Sequence, residues 1–162
     1  MNLSVTIRGA RRGDEAGIFA LIAALAEYEQ LTHAVTGNAE SLAEHLFGAR
    51  PCIEALVAES GADLLGFALF FTSYSTFLTR PGLYLEDLFV LEPHRRRGIG
   101  RALLSRLAAL ALERGSGRVE WSVLDWNASA IAFYQSLGAS VLPDWRICRV
   151  TGDAIATLAR AG

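Results

Sequence analysis

Two stretches of this sequence carry residue types that could do chemistry. The first is His94-Arg95-Arg96-Arg97-Gly98-Ile99-Gly100-Arg101, four arginines and two glycines ahead of an apolar helical pattern. Glycine lets a backbone turn tightly and approach a ligand with no Cβ in the way. Successive N–H groups at a helix N-terminus make an anion site, and arginine forks add charge and paired donors. Four readings compete for such a run: a nucleic-acid patch, a nuclear signal, a solvated charge cluster, or a cradle for a phosphorylated ligand. The second stretch is Tyr84–Val90, "YLEDLFV", where Glu86 and Asp87 interrupt an apolar strand. A carboxylate so placed can accept a proton or hold a cation, or it can be a surface charge paired with an arginine. Successive strand residues face opposite sides, so one of the two is expected on each face of its sheet.

The cradle reading fits its neighbourhood best. Arg95-x-x-Gly98-x-Gly100 lies between a strand pattern and an amphipathic helix pattern. Arginines at a helix N-terminus oppose the helix dipole, a cost that disappears when an anion sits between them. The run is not a Rossmann fingerprint, because the third glycine is missing and the preceding strand is not the first. No Gly-Lys-Ser/Thr follows, so it is not a P-loop. The formal net charge of -2 supplies no global basic field for nucleic acid.

The elements that must position these residues follow from periodicity. Ser4–Arg8 alternates like a strand. Gly13-Asp14 opens a helix whose residues Ile18, Leu21, Ile22 and Leu25 form one apolar face, closed by Tyr28 and Glu29. Asn38 is a plausible N-cap for a helix reaching Phe47, with Gly48 after it. Ile53–Glu59 and Leu64–Phe71 read as a hairpin around "SGAD". "TSYSTFLTRPG" reads as a loop and Leu83–Val90 as the next strand. A helix is expected over Arg101–Arg114, a strand over Val119–Leu124, and a helix from Asn127 to Leu137 stopped by Gly138. Trp145–Val150 reads as a last strand and Asp153–Arg160 as a closing helix. The order β-α-α-β-β-β-α-β-α-β implies an α/β protein with a mixed sheet flanked by helices.

At 162 residues the chain reads as one domain, residues 1–162. With 52% apolar and 9% aromatic residues it can build a globular core. Cys52 and Cys148 lie in apolar segments and read as buried, reduced thiols. Neither has His or Cys neighbours at metal-ligand spacing, so no metal is expected. The N-terminus lacks the apolar core of a signal peptide and no run reaches membrane-spanning length. The expectation is a cytoplasmic protein with no membrane and no nucleic-acid partner. All fifteen basic residues are arginine; codon bias is the simplest account.

Arg95-x-x-Gly98-x-Gly100 after "EDLFVLEPH" resembles the acetyl-CoA signature of the GCN5-related N-acetyltransferases (GNAT). Tyr84–Val90, Arg95–Leu104, Asp125–Ser140 ("DWNASAIAFYQSLGAS"), "LAEYE" at Leu25–Glu29 and "WR" at Trp145-Arg146 resemble the diamine or polyamine acetyltransferase branch. The stretch between Gly138 and Trp145 looks shorter than in the animal enzymes. Arg96 stands where the family often has glycine. The resemblance implies the GNAT fold, with a mixed, mostly antiparallel central sheet, and acetyl-CoA as cosubstrate. It implies cofactor contacts from Leu88, Phe89 and Val90 through their backbones, and from Arg95, Arg96, Arg97, Gly98, Ile99, Gly100 and Arg101. Asn127, Ser129 and Ala130 join them, although Asn127 also reads as a helix cap. Tyr134 becomes the general acid for the leaving thiolate; on spacing alone it is an ordinary aromatic beside Phe133. Its phenol, with a pKa of about 10, is protonated at neutral pH and can donate as charge develops on sulfur.

The same resemblance places the acceptor amine beside Tyr28, Glu29, Glu86 and Trp145, with Glu86 in the catalytic set; Asp87 is a further candidate for the acidic substrate cleft. Glu29 reads equally well as the polar end of its helix. The carboxylates, with Asp144 a further candidate, would hold a charged amine, and the rings could add cation–π contacts. A diamine, a polyamine or a lysine-like amine fits. The rivals are acetylation of a peptide or protein amine and a non-catalytic acetyl-CoA-binding regulator. The family commonly dimerises near its C-terminal strand, so a homodimer is expected.

Overall fold

The computed structural model describes residues 4–162. In chain order the elements are β1 (Thr6–Gly9), α1 (Glu15–Tyr28), α2 (Ala39–Phe47), β2 (Glu54–Ser60), β3 (Asp63–Ser75), β4 (Arg80–Val90), α3 (Ile99–Glu113), β5 (Val119–Glu120), α4 (Ala128–Ser136) and α5 (Asp153–Ala159). Short 3-10 turns occupy Thr32–Ala34 and Glu92–His94. The chain forms two compact units, one ending at Ser122 and the other starting at Val123.

The first unit is a five-stranded sheet in the order β1-β2-β3-β4-β5. All neighbours are antiparallel except β4 and β5, which run parallel. This is the mixed, mostly antiparallel sheet that the sequence implies. Ile18, Leu21 and Leu25 of α1 and Leu46 of α2 pack on Ala55, Val57, Phe67, Leu69 and Phe89. Helix α3 packs on β2, β3 and β4 through a face that includes the buried Leu103 and Leu107. Adjacent β2 residues Leu56 and Val57 are both buried. A strand buried on both faces reads as a continuous apolar run, as "ALVA" does.

At the start of α1, Arg8 of β1 bonds both Asp14, at 2.7 Å, and Glu59 of β2, at 2.7 Å. Asp14 is buried yet satisfied, since it also accepts from the Arg11 N–H at 2.8 Å. Asn38 caps α2 by accepting from the Ser41 N–H at 2.8 Å.

Several expectations are corrected. The expected loop "TSYSTFLTRPG" is mostly strand, because β3 continues to Ser75 and β4 begins at Arg80. Its Thr and Tyr residues are strand formers, and their alternate exposure along β3 suits a protruding hairpin. The strand expected over Val119–Leu124 is only Val119–Glu120. The second unit contains α4 and α5, and residues 145–150 form no strand. Composition gave them strand propensity, but a strand also requires a hydrogen-bonded neighbour. Cys52 and Cys148 are exposed rather than buried.

Candidate active site

The glycine-rich run forms a turn suited to an anion. After β4 the chain makes a 3-10 turn with Pro93 near its start, then enters α3 at Ile99. Gly98 is the N-cap in a left-handed conformation, φ +80°. A Cβ there would meet nothing within 4 Å, so glycine is needed for its backbone angle and not for space. Arg96 is also left-handed, φ +61°, at the position where the family resemblance expects glycine. No side chain caps the start of α3, and its first turn holds no acidic residue. The first N–H groups of a helix have no intrahelical acceptor and carry the positive end of its dipole. Arg96, Arg97 and Arg101 are exposed around them. These groups fit a pyrophosphate.

Arg95 lies elsewhere. Its Nε donates to the Val90 carbonyl at 2.9 Å. Its guanidinium sits 4.4 Å from the Tyr28 ring centre and 5.3 Å from that of Phe89. The two rings are tilted 6.4 Å apart. Tyr28 is the last residue of α1, so the end of that helix meets the end of β4 here.

The carboxylates occupy a bulge in β4. Leu69 of β3 pairs with Asp87 and Phe70 with Leu85, which leaves Glu86 as the extra residue. Cross-strand partners share a face, so Asp87 lies on the α1 side with Leu69 and Phe89. A bulge breaks strict alternation. Strict alternation therefore does not decide the faces here; Glu86 is exposed, and its charge acts on Asp87. Burial pushes the Asp87 carboxyl up to about 6, assisted by the negative charges of Glu86 and Glu29. Burial also raises Glu29, at the C-terminal end of α1. No salt bridge among the described residues reaches Asp87. The charges of Glu86 and Glu29 thus both act on Asp87, a repulsion that a bound cation would relieve.

Residues 21–139 match the model described as the Acetyltransferase (GNAT) family. The chain belongs to the GNAT acetyltransferase family. This acetyltransferase is 37% identical to a thialysine N-epsilon-acetyltransferase of Sus scrofa over 96% of its own length and 98% of that protein's. An L-ornithine N5-acetyltransferase of Arabidopsis thaliana is 53% identical over 90 residues. That match covers 56% of this chain and 40% of the plant protein, so the chain spans under half of that relative's length. A solved integron cassette protein of V. cholerae superposes with a TM-score of 0.81 and 25% identity, covering 99% of this chain and 100% of that one. The protein is therefore an N-acetyltransferase.

Other sequence-selected residues of the acetyltransferase lie in the second unit. Asn127 accepts from the Ala130 N–H at 3.1 Å, so its capping reading holds, and Ser129 and Ala130 form the first turn of α4. Tyr134 is half-buried on α4, its ring 5.5 Å from that of Phe133. Trp145 is 80% exposed and Asp144 is exposed. In the first unit, Leu88, Phe89 and Val90 end β4 beside the anion turn. Sequence reasoning selected Phe89 for its backbone and missed its ring. The available signal was the two-residue spacing that puts Phe89 on the face of Asp87. Among the described residues no cluster of His, Cys, Asp and Glu could hold a metal, and no helix could cross a membrane.

Proposed function

We propose that this enzyme moves an acetyl group from acetyl-CoA to the primary amine of a small diamine, polyamine or lysine-like acceptor. The observation that carries the reading is the coupling of half-buried Asp87 to the charges of Glu86 and Glu29, on a strand that leads into a turn suited to an anion. A small acceptor with two cationic centres suits it: one amine reacts while the other stays charged and held. The name of the full-length thialysine relative supports a lysine-like acceptor.

A primary alkylamine has a pKa of about 10.4, so freeing its lone pair at pH 7 costs on the order of 4–5 kcal/mol. A carboxylate at the bulge, Glu86 foremost, holds the ammonium and receives its proton directly or through water. Acetyl-CoA supplies the activated thioester. The backbones of Leu88, Phe89 and Val90 line its arm. The N–H groups from Gly98 to Arg101 take the pyrophosphate, with Arg96, Arg97 and Arg101 at the rim. Asn127, Ser129 and Ala130 contact it from the start of α4. Tyr134 gives a proton to the departing sulfur. The family resemblance assigns Tyr28 and Trp145 to the acceptor side.

The family match crosses the junction at Ser122, which supports a single catalytic domain over residues 1–162. The enzyme works as a homodimer in the cytoplasm.

Thiol release from acetyl-CoA tests the reading, with putrescine, spermidine, spermine, lysine, thialysine, ornithine and a short peptide as acceptors. Release with one class of small amine is expected. Release with the peptide alone would transfer the reading to protein acetylation. Tight acetyl-CoA binding without release would favour a regulator.

A further inference from the structure

Arg95 opens the signature run, yet its side chain does not join the rim. Its Nε is held by the Val90 carbonyl and its guanidinium lies over Tyr28 and Phe89. These residues come from different places in the first unit: Tyr28 from the end of α1, Phe89 and Val90 from the end of β4, Arg95 from the turn. The Arg95 N–H also bonds the Glu92 carbonyl at 3.1 Å, which fixes the backbone beneath the stack. A planar guanidinium covers a ring face as an ammonium cannot, and it makes contacts along its whole plane. Tyr28 is immediately followed by Glu29, whose charge reaches Asp87. The stack therefore bridges the anion turn and the acidic acceptor wall.

We propose that Arg95 is a positioning residue that couples the two substrate sites, so that coenzyme A held at the turn fixes Tyr28 and Glu29 and tightens binding of the acceptor amine. This rests on the acetyltransferase reading above. The coupling works through a shared element. Phosphates on the turn's N–H groups restrict its backbone, Arg95 follows that backbone, and the Tyr28 ring follows Arg95. Linkage makes the effect reciprocal, so the amine also tightens coenzyme A. Arg95 then contributes to amine recognition without touching the amine.

Arg95→Lys separates this role from phosphate contact, because lysine keeps the charge and loses the planar stack. The first measurement is NMR of protein carrying 13C-tyrosine, with Tyr28 assigned by Tyr28→Phe. Coenzyme A is expected to shift the Tyr28 ring signal in the wild type and not in Arg95→Lys. The second is kinetic. Arg95→Lys is expected to raise the amine KM about tenfold, within the usual range of coupling effects, and Tyr28→Leu, which also removes a ring from the acceptor side, at least as much. The affinity for coenzyme A alone, read by calorimetry, should stay near wild type. The double variant should be little worse than Tyr28→Leu alone, since that variant already breaks the stack. An unmoved Tyr28 signal in coenzyme A-saturated wild type would overturn the proposal. So would an Arg95→Lys enzyme that loses coenzyme A affinity but keeps its amine KM, or additive effects in the double variant. If no amine is acetylated, the parent reading fails while the tyrosine spectra still decide this one.

Discussion

At the scale of single residues, Asp87 makes the sharpest statement about pH. Its carboxyl is held near 6, above the unfolded value of about 3.9, because burial and two nearby carboxylates penalise the charged form. The native state therefore binds the proton more tightly than the unfolded chain. The penalty is absent below about pH 4 and fully present above pH 6. Asp87→Asn should stabilise the free enzyme at pH 7.5 by on the order of 2 kcal/mol and change little at pH 4. Urea denaturation at both pH values checks this, and a destabilised variant at pH 7.5 would refute it. Tyr134 is tested by turnover. If it donates to the leaving sulfur, Tyr134→Phe should lower kcat by roughly 10² with acetyl-CoA affinity nearly unchanged. Unchanged turnover removes Tyr134 from the mechanism. The identities of both residues could be selected from sequence. The state of Asp87 could not, because it depends on a bulge and on a helix end distant in sequence.

At the scale of elements, the sequence was most legible where a side chain ends an element locally. Helix α2 runs from the residue after Asn38 to the residue before Gly48, as the cap signals require. Asn127 likewise caps the start of α4, and the left-handed Gly138 follows its C-cap, Leu137. Strand lengths were less legible, because a ladder is decided by its neighbour: β3 and β4 prolong each other through Ser75 and Arg80. The joint between β1, α1 and β2 is another non-local device, built by Arg8, Asp14 and Glu59. The Arg8 hydrogen bond holds the Asp14 carboxyl below its ordinary value. A depressed carboxylate stabilises the fold above its unfolded pKa of about 3.9, and that stability is lost as pH falls through the lower folded value. Asp14→Asn should therefore lower stability at pH 7 by about 1–3 kcal/mol, the usual cost of breaking such a bonded group. It should also flatten the loss of stability below pH 4. Thermal melts from pH 2 to pH 7 read both effects, and parallel wild-type and variant curves would show that the joint carries nothing.

At the scale of the whole molecule, the C-terminal segment bears on assembly. Trp145 is 80% exposed, Ile147 70% and Leu142 58%. Large apolar side chains in such a row carry a hydration cost that a partner surface removes, at about 25 cal/mol per Å² covered. Residues 145–150 have strand-forming composition and form no strand in the single chain. Both facts suit a segment completed by a second copy, as the proposed homodimer requires. A closed two-fold contact would use the same segment on both protomers. Light scattering on wild-type enzyme should then give twice the 17.5 kDa chain mass. Ile147→Asp would place an unpaired charge in that contact and should shift the population to monomer at micromolar concentration. Unfolding of the variant monomer at unchanged pH separates lost assembly from lost fold, because a dimer-only effect leaves the transition of the first unit cooperative. A wild-type monomer, or a dimer indifferent to Ile147→Asp, would place the contact elsewhere and leave the exposed row without a partner.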